Sequence, residues 1–292
     1  MGRFRCPRCG GEEGQSRWCP ACGFDYETKV GAPPPTAEAA EARDRESRWL
    51  ADRVGNRPPR FDEYRPLTTF ARLARGWLVI SIVTLALAGA AEADQALLLS
   101  ETDLSSIDLD EAAASDARLA IAYALNLGAL VLTAVFFMAW TQRAYKNAAA
   151  LGVLDQRFGS GWAIGGWFVP VLALWRPKQI VNDIWRTSDP DAPAILPRHR
   201  WEDLPVPAFL SAWWVLWLLG NFVDRASANY GGDDATLQEL RVGDVLGLGG
   251  SLLSIFAALL AIRVVAVTTR RQEARAARVG ALPAPAPVTA AA

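Results

Sequence analysis

Four long apolar runs, at about residues 70–91, 119–140, 206–223 and 245–267, stand out from an otherwise polar, Arg-rich chain. Each is close to the roughly 20 residues a helix needs to cross a hydrocarbon core about 30 Å thick. The stretch between the second and third runs, residues 159–190, follows a different pattern. Its apolar part, Trp162 to Trp175, is 14 residues, or roughly 21 Å of helix at about 1.5 Å per residue. Pro170 interrupts it and Arg176-Pro177-Lys178 ends it. Such a segment either re-enters the bilayer or spans it, if helix continues past Trp175. Beyond it, Ile180, Val181, Ile184 and Trp185 share one helical face, with Arg176, Lys178, Asp183 and Arg186 on the others. That arrangement predicts a helix lying in the interface, stopped by Ser188-Asp189-Pro190. The pattern as a whole predicts an all-α polytopic membrane protein with four transmembrane helices. A short central element, re-entrant, interfacial or a fifth helix, completes it.

Composition agrees with this reading. Of 292 residues, 51% are hydrophobic and 21% charged, and the charges are segregated from the apolar runs instead of interleaved with them. The net charge of −1 offers no global field for nucleic acid. One histidine, His199, serves the whole chain, which excludes a paired-histidine metalloprotease site. No phosphate-cradling glycine loop or catalytic dyad is present, so the expectation is a non-enzymatic protein.

All four cysteines fall in the first 22 residues, as Cys6-Pro7-Arg8-Cys9-Gly10 and Cys19-Pro20-Ala21-Cys22-Gly23. In each pair a tight turn aims two sulfurs at one point, and the glycine after it tolerates a positive φ. Four thiolates suit tetrahedral Zn²⁺. Residues 1–28 are therefore expected to form a small N-terminal zinc ribbon with a structural zinc on Cys6, Cys9, Cys19 and Cys22. A closed site of this kind has no open position for substrate. The opening MGRFRCPRCG lacks the apolar region of a signal peptide, so export is not expected. Residues 29–66 read as a Pro-rich linker and a charged cytosolic helix. The membrane domain follows over 67–270, and 271–292 read as a disordered Ala/Pro-rich tail.

Charge also orients the chain. Arg and Lys concentrate before the first run, between the second and third, and after the fourth. The connectors at 92–116 and 224–244 are acidic. The positive-inside rule then places both termini and the central stretch on the cytoplasmic side of the plasma (inner) membrane. A full central span would put the Arg-rich tail outside. Arg263, near the end of the fourth run, can snorkel, and Arg270, Arg271, Arg275 and Arg278 read as juxtamembrane charge facing anionic lipid.

Arg143-Ala144-Tyr145-Lys146-Asn147, Leu151-Gly152 and Gly161-Trp162 resemble the first half of the signature of the domain-of-unknown-function 4328 family of bacterial membrane proteins. Gly166-Trp167-Phe168-Val169-Pro170, Leu174-Trp175-Arg176-Pro177 and Ile184 to Pro190 resemble the second. The resemblance covers about residues 67–269. It implies a multi-span architecture, often with a zinc-ribbon head, and no activity.

Several motif residues are candidates for more than structure. Asp183 is an ionisable group near the membrane, though at the interface it can simply pair with Lys178 or Arg186. Arg143 and Asn147 share a helical face, where Asn147 can serve the backbone freed by Pro170 or a polar site between helices. Trp162, Trp167, Trp175 and Trp185 suit an aromatic belt at headgroup level, or else a ligand cavity. Gly152, Pro177, Ser188 and Pro190 complete the set. Two functions follow. One is a scaffold, sensor or assembly factor whose zinc ribbon recruits a cytosolic protein partner. The other is a small-solute transporter or channel built around the Pro170 break. The lipid bilayer is a partner in both, no nucleic acid is in either, and both leave room for a homo-oligomer.

Overall fold

The computed structural model describes residues 41, 45, 48–49, 52, 60–101, 109–230, 232 and 235–282. The chain divides into two compact units, Met1–Pro58 and Pro59–Ala292. In the first, the described residues Glu41, Arg45, Arg48, Trp49 and Asp52 are helical. Cys6, Cys9, Cys19 and Cys22 lie outside the described residues.

The second unit is helical. Its helices are α1 (Thr68–Glu101), α2 (Leu109–Ala150), the single turn α3 (Trp162–Gly165), α4 (Arg176–Thr187), α5 (Ala208–Ser227) and α6 (Leu237–Arg278). Helices α1, α2 and α6 are long and apolar enough to cross a membrane. The third apolar run forms α5, which at 20 residues is long enough but carries Trp213, Trp214, Trp217 and Asn221 among its apolar residues. The long helices pack side by side in the order α2, α1, α6, α5.

On α1 the buried positions are Ala71, Ala74, Leu78, Ser81, Thr84, Ala88 and Glu92. Their steps of three and four put them on one face, as a 3.6-residue repeat requires. That face is built from small residues, and so is its counterpart on α6, where Gly243, Gly247, Gly250, Ser251, Ala257, Ala258 and Ala261 are buried. Small side chains let helix backbones approach closely, the usual basis of helix pairing in apolar surroundings. A Cβ on Gly220 of α5 would lie 2.7 Å from the Ser254 hydroxyl of α6. Side-chain hydrogen bonds fasten α1 to α2: the Ser81 and Thr133 hydroxyls pair at 2.8 Å, and the Thr84 hydroxyl donates to Asn126 Oδ1 at 3.2 Å.

The helix ends are specified locally. Thr236 and Glu239 form a reciprocal capping box at the start of α6, satisfying two donors that a helix start leaves free. At the end of α2, Gly152 takes φ 84°. The Val153 amide donates to Ala148 O and the Gly152 amide to Ala149 O, the double bond of a Schellman stop. This explains a glycine at position 152.

Three features differ from the sequence expectation. The acidic connector at 92–116 is mostly helix: α1 runs ten residues past position 91 and α2 begins at Leu109. Ala, Glu, Gln and Leu at 92–101 are strong helix formers, and their charge alone suggested a loop. The tail expected from 271 starts later, since α6 continues to Arg278. Finally, residues 159–175 form no continuous helix. The four-residue α3 leads into turns at Trp167 to Val171 and a 3₁₀ turn at Leu172–Leu174.

Candidate functional site

The family-like motifs meet at the end of the bundle that holds the C-termini of α2, α4 and α6. Asn147, in the last turn of α2, is buried. Its Oδ1 accepts the Arg65 amide at 3.1 Å, and its Nδ2 donates to Arg65 O at 2.7 Å and to Gln272 Oε1 at 3.2 Å. The carboxamide thus pairs with both backbone groups of one residue, as a neighbouring strand would. Gln272 of α6 in turn donates to Ala144 O at 3.0 Å and to the Ser188 hydroxyl at 3.2 Å. Trp140 Nε1 donates to Thr269 Oγ1 at 2.9 Å, tying α2 to α6 one turn away.

Arg275 completes this knot. It is fully buried and donates to Thr187 O, to Leu151 O at 3.0 Å and to Pro193 O at 3.0 Å. Thr187 ends α4 and Leu151 follows α2, so the guanidinium sits on carbonyls that helix C-termini leave unpaired. A cation there also opposes the negative ends of two helix dipoles. The expected lipid-facing role of Arg275 is therefore corrected, because its charge is turned inward. Neighbouring Arg271 lies over the Trp185 ring at 4.3 Å and 3.8 Å from Asp189.

Asp183 lies beside the knot and is buried to 1% exposure, not placed at an open interface. Arg157 Nε is 3.4 Å from it and Arg186 3.7 Å. The expected pairing with Arg186 forms, whereas Lys178 bonds Asn182 instead, at 2.5 Å. Among the described residues neither Asp183 oxygen accepts a hydrogen bond. Burial pushes its carboxyl up to about 6 despite the lowering effect of Arg157, Arg186 and Arg198. Burial, with help from Arg186, brings Lys178 down to about 8. Tyr145 holds the loop that carries Arg157: its hydroxyl accepts from the Phe158 amide at 3.0 Å. Arg176 stacks on Phe158 at 4.0 Å.

Other candidates fall into different roles. Arg143 covers the Phe70 ring at 5.3 Å, so it faces α1 and not the Pro170 turn. Asn147 likewise serves Arg65 and Gln272 and not backbone freed by Pro170. Trp167, read as a belt or cavity tryptophan, is half-buried against other rings. It packs edge-on against Trp214 at 5.8 Å and Trp217 at 5.5 Å, and Trp214 stacks on Trp217 at 4.8 Å. Trp214 Nε1 also donates to Leu174 O at 3.0 Å. The rings thereby pin the central element to α5. Trp162 and Trp175 do face outward, with Phe168, Val169, Pro170 and Val171 forming an exposed apolar turn between them. Pro177 starts α4 at a position where no amide is needed. The Ser188 hydroxyl donates to Ile184 O at 2.6 Å as α4 stops ahead of Pro190.

A second polar cluster, at the opposite end, went unread in the sequence. Glu92, assigned there to an exposed connector, is 2% exposed. It accepts from Tyr123 Oη at 2.8 Å and from Ser251 Oγ at 3.2 Å. A Cβ on Gly247 would lie 2.7 Å from its Oε1, and one on Gly250 would collide with Asp224 Oδ1. Gly247 and Gly250 of α6 are recesses for these carboxylates. Among the described residues no group of three or more His, Cys, Asp or Glu is arranged to hold a metal.

No curated protein and no solved structure matches the chain. A family model does, over residues 103–270, which takes in α2 through most of α6 and every motif residue, but not Gln272 or Arg275 of the knot. It starts later than the resemblance read from position 67, so α1 and the Arg65 segment lie outside it. The chain belongs to the family described as Domain of unknown function (DUF4328).

Proposed function

We propose that this is a non-enzymatic integral membrane scaffold, sensor or assembly factor. In this reading α1, α2, α5 and α6 span the plasma (inner) membrane and both termini are cytoplasmic. The observation that carries it is the distribution of polarity. Side chains such as Ile121, Leu127, Val83 and Phe256 are more than half exposed, while Asn147, Gln272, Arg275 and Glu92 are buried. An exterior this apolar along helices this long suits lipid and not water. The basic end, with α4 and the exposed Phe168–Val171 turn, would rest on the cytoplasmic face. The motif residues would supply a rigid platform there, with their polar groups turned toward one another instead of toward a substrate.

The zinc ribbon remains part of the proposal on the spacing of Cys6, Cys9, Cys19 and Cys22. Its role is to recruit a cytosolic partner, with metal binding supplying most of the folding free energy of so short a module. The test is the Cys6→Ser/Cys9→Ser variant of the full chain. One zinc per chain should be lost and partner capture abolished, while membrane insertion persists. Unchanged capture would overturn the recruiting role. Orientation is tested by single cysteine reporters in a chain lacking the native four. An impermeant reagent should reach position 105 from outside, but not position 191 or 285.

One observation favours a second reading, the small-solute transporter or channel. Glu92 is a carboxylate buried among three helices, and ionisable groups so placed mark ion pathways in many membrane proteins. This version moves the candidate pathway from Pro170 to the acidic end. Solute or proton flux in liposomes that disappears in Glu92→Gln would bring it forward.

A further inference from the structure

Helix α1 carries Arg72, Arg75, Gly76 and Val79 on a single stripe, at spacings of three, four and seven residues. In the structure these four residues and Ile262 of α6 line an open groove of about 320 Å³ between the two helices. Neither guanidinium has an ion-pair or hydrogen-bond partner among the described residues. This sets them apart from Arg275, Arg271 and Arg143, whose charges are turned onto carbonyls or rings. The floor beyond them is apolar, and Val79 is 51% exposed. A Cβ added at Gly76 would touch nothing, so the groove is open at its middle.

The chemistry changes along the stripe. From Arg72 to Val79 is about 10 Å of helix, at about 1.5 Å per residue. That is a step from a doubly cationic mouth to an apolar slot. In the membrane reading, on which this inference rests, the mouth lies at headgroup depth on the basic side, just before the uninterrupted apolar run that starts at Trp77. Guanidinium groups match phosphate in geometry and charge. An apolar slot below them adds affinity only for a ligand that carries a chain.

We propose that the groove between α1 and α6 seats one anionic phospholipid of the cytoplasmic leaflet. Its phosphate lies between Arg72 and Arg75, and one acyl chain runs along Gly76, Val79 and Ile262. The surface potential of anionic lipid adds to the attraction on that side.

The test uses the purified full chain in detergent, read by native mass spectrometry and by thermal midpoint. The probes are dioleoyl phosphatidylglycerol, dioleoyl phosphatidylcholine and inorganic phosphate. Phosphatidylglycerol should be retained at least fivefold better than phosphatidylcholine and should raise the midpoint, with no effect of inorganic phosphate. Arg72→Ala/Arg75→Ala should bring retention down to the phosphatidylcholine level. Gly76→Leu keeps both charges and fills the slot. It should reduce retention to a similar degree while leaving the lipid-free midpoint unchanged, which separates a blocked seat from a misfolded chain. Equal retention of the two lipids, or unchanged retention in Gly76→Leu, overturns the proposal. Stabilisation by inorganic phosphate equal to that by lipid would make this a small-anion site and overturns it as well. Carbonate extraction of cell membranes checks the underlying reading separately: a chain released by carbonate is not membrane-embedded, whatever the lipid assay returns.

Discussion

The two ends of the helix bundle solve the burial of polar groups in different ways. At the basic end, Arg275, Gln272 and Asn147 draw in backbone carbonyls from segments far apart in sequence, so helix ends and side chains satisfy one another. At the acidic end no helix terminus is recruited. Glu92 and Asp224 are accommodated by removing side chains from α6, at Gly247 and Gly250, and Glu92 takes hydrogen bonds from Tyr123 and Ser251. The first arrangement is over-determined and should be rigid. The second depends on the fit between a carboxylate and a missing Cβ, so it should yield to small changes.

The largest effect is expected from breaking the knot. Arg275→Met keeps the apolar stem but leaves the carbonyls of Thr187, Leu151 and Pro193 without their donor. A buried acceptor left without its donor typically costs about 1–3 kcal/mol, and here three carbonyls lose theirs together. The thermal midpoint of the detergent-solubilised chain should fall steeply, and the α4 region should become protease-sensitive before the long helices do. A fall no larger than that of a surface arginine, such as Arg270→Met, would show that the knot is dispensable.

Asp183 is expected to come next, with the opposite sign. Its folded carboxyl keeps a proton up to about pH 6, whereas an unfolded aspartate releases it near pH 4. Between those values the folded state holds more protons, so stability falls as pH rises through that window and is lowest above it. The cost at neutral pH is on the order of 3 kcal/mol, at about 1.4 kcal/mol for each tenfold change. Asp183→Asn should abolish the slope between pH 4 and pH 6 and raise the midpoint at pH 7. A lower midpoint at pH 7 would mean that the contacts with Arg157 and Arg186 outweigh the burial.

The sequence shows the two ends unequally. All four apolar runs became helices, because a run of that length has few other ways to satisfy its backbone. Gly152 and Pro177 were legible as punctuation, since their roles are local. Asn147 was visible as a polar residue on a helix face, but its partner Arg65 lies 82 residues away. Arg275 read as a surface charge because nothing near it in sequence reveals three distant carbonyls. Arg157 is hidden from Asp183 for the same reason. Glu92 was misread through its company: among so many acidic neighbours it looked like part of a solvated loop. The glycines of α6 carried the missing signal. Gly243, Gly247 and Gly250 recur on one helical face, and such a stripe marks a close approach.

The smallest effect sharpens the comparison most, because it sets two glycines of α6, two residues apart, against each other. A Cβ at Gly249 meets nothing within 4 Å, so Gly249→Ala should gain up to about 1 kcal/mol from helix propensity alone. At Gly247 the same methyl would come within 2.7 Å of Glu92 Oε1 and 2.9 Å of its Cδ. The carboxylate must then move and give up bonds from Tyr123 and Ser251, each worth more than the propensity gain if kept. Gly247→Ala should therefore lower the midpoint by about 1 kcal/mol equivalent, while its neighbour raises it. Glu92→Ala in the Gly247→Ala background should remove the clash and recover the propensity gain, so the two substitutions should be strongly non-additive. Equal effects at 247 and 249, or plain additivity with Glu92→Ala, would mean that the carboxylate does not depend on the recess. The acidic end would then be as tolerant as the basic end is expected to be rigid.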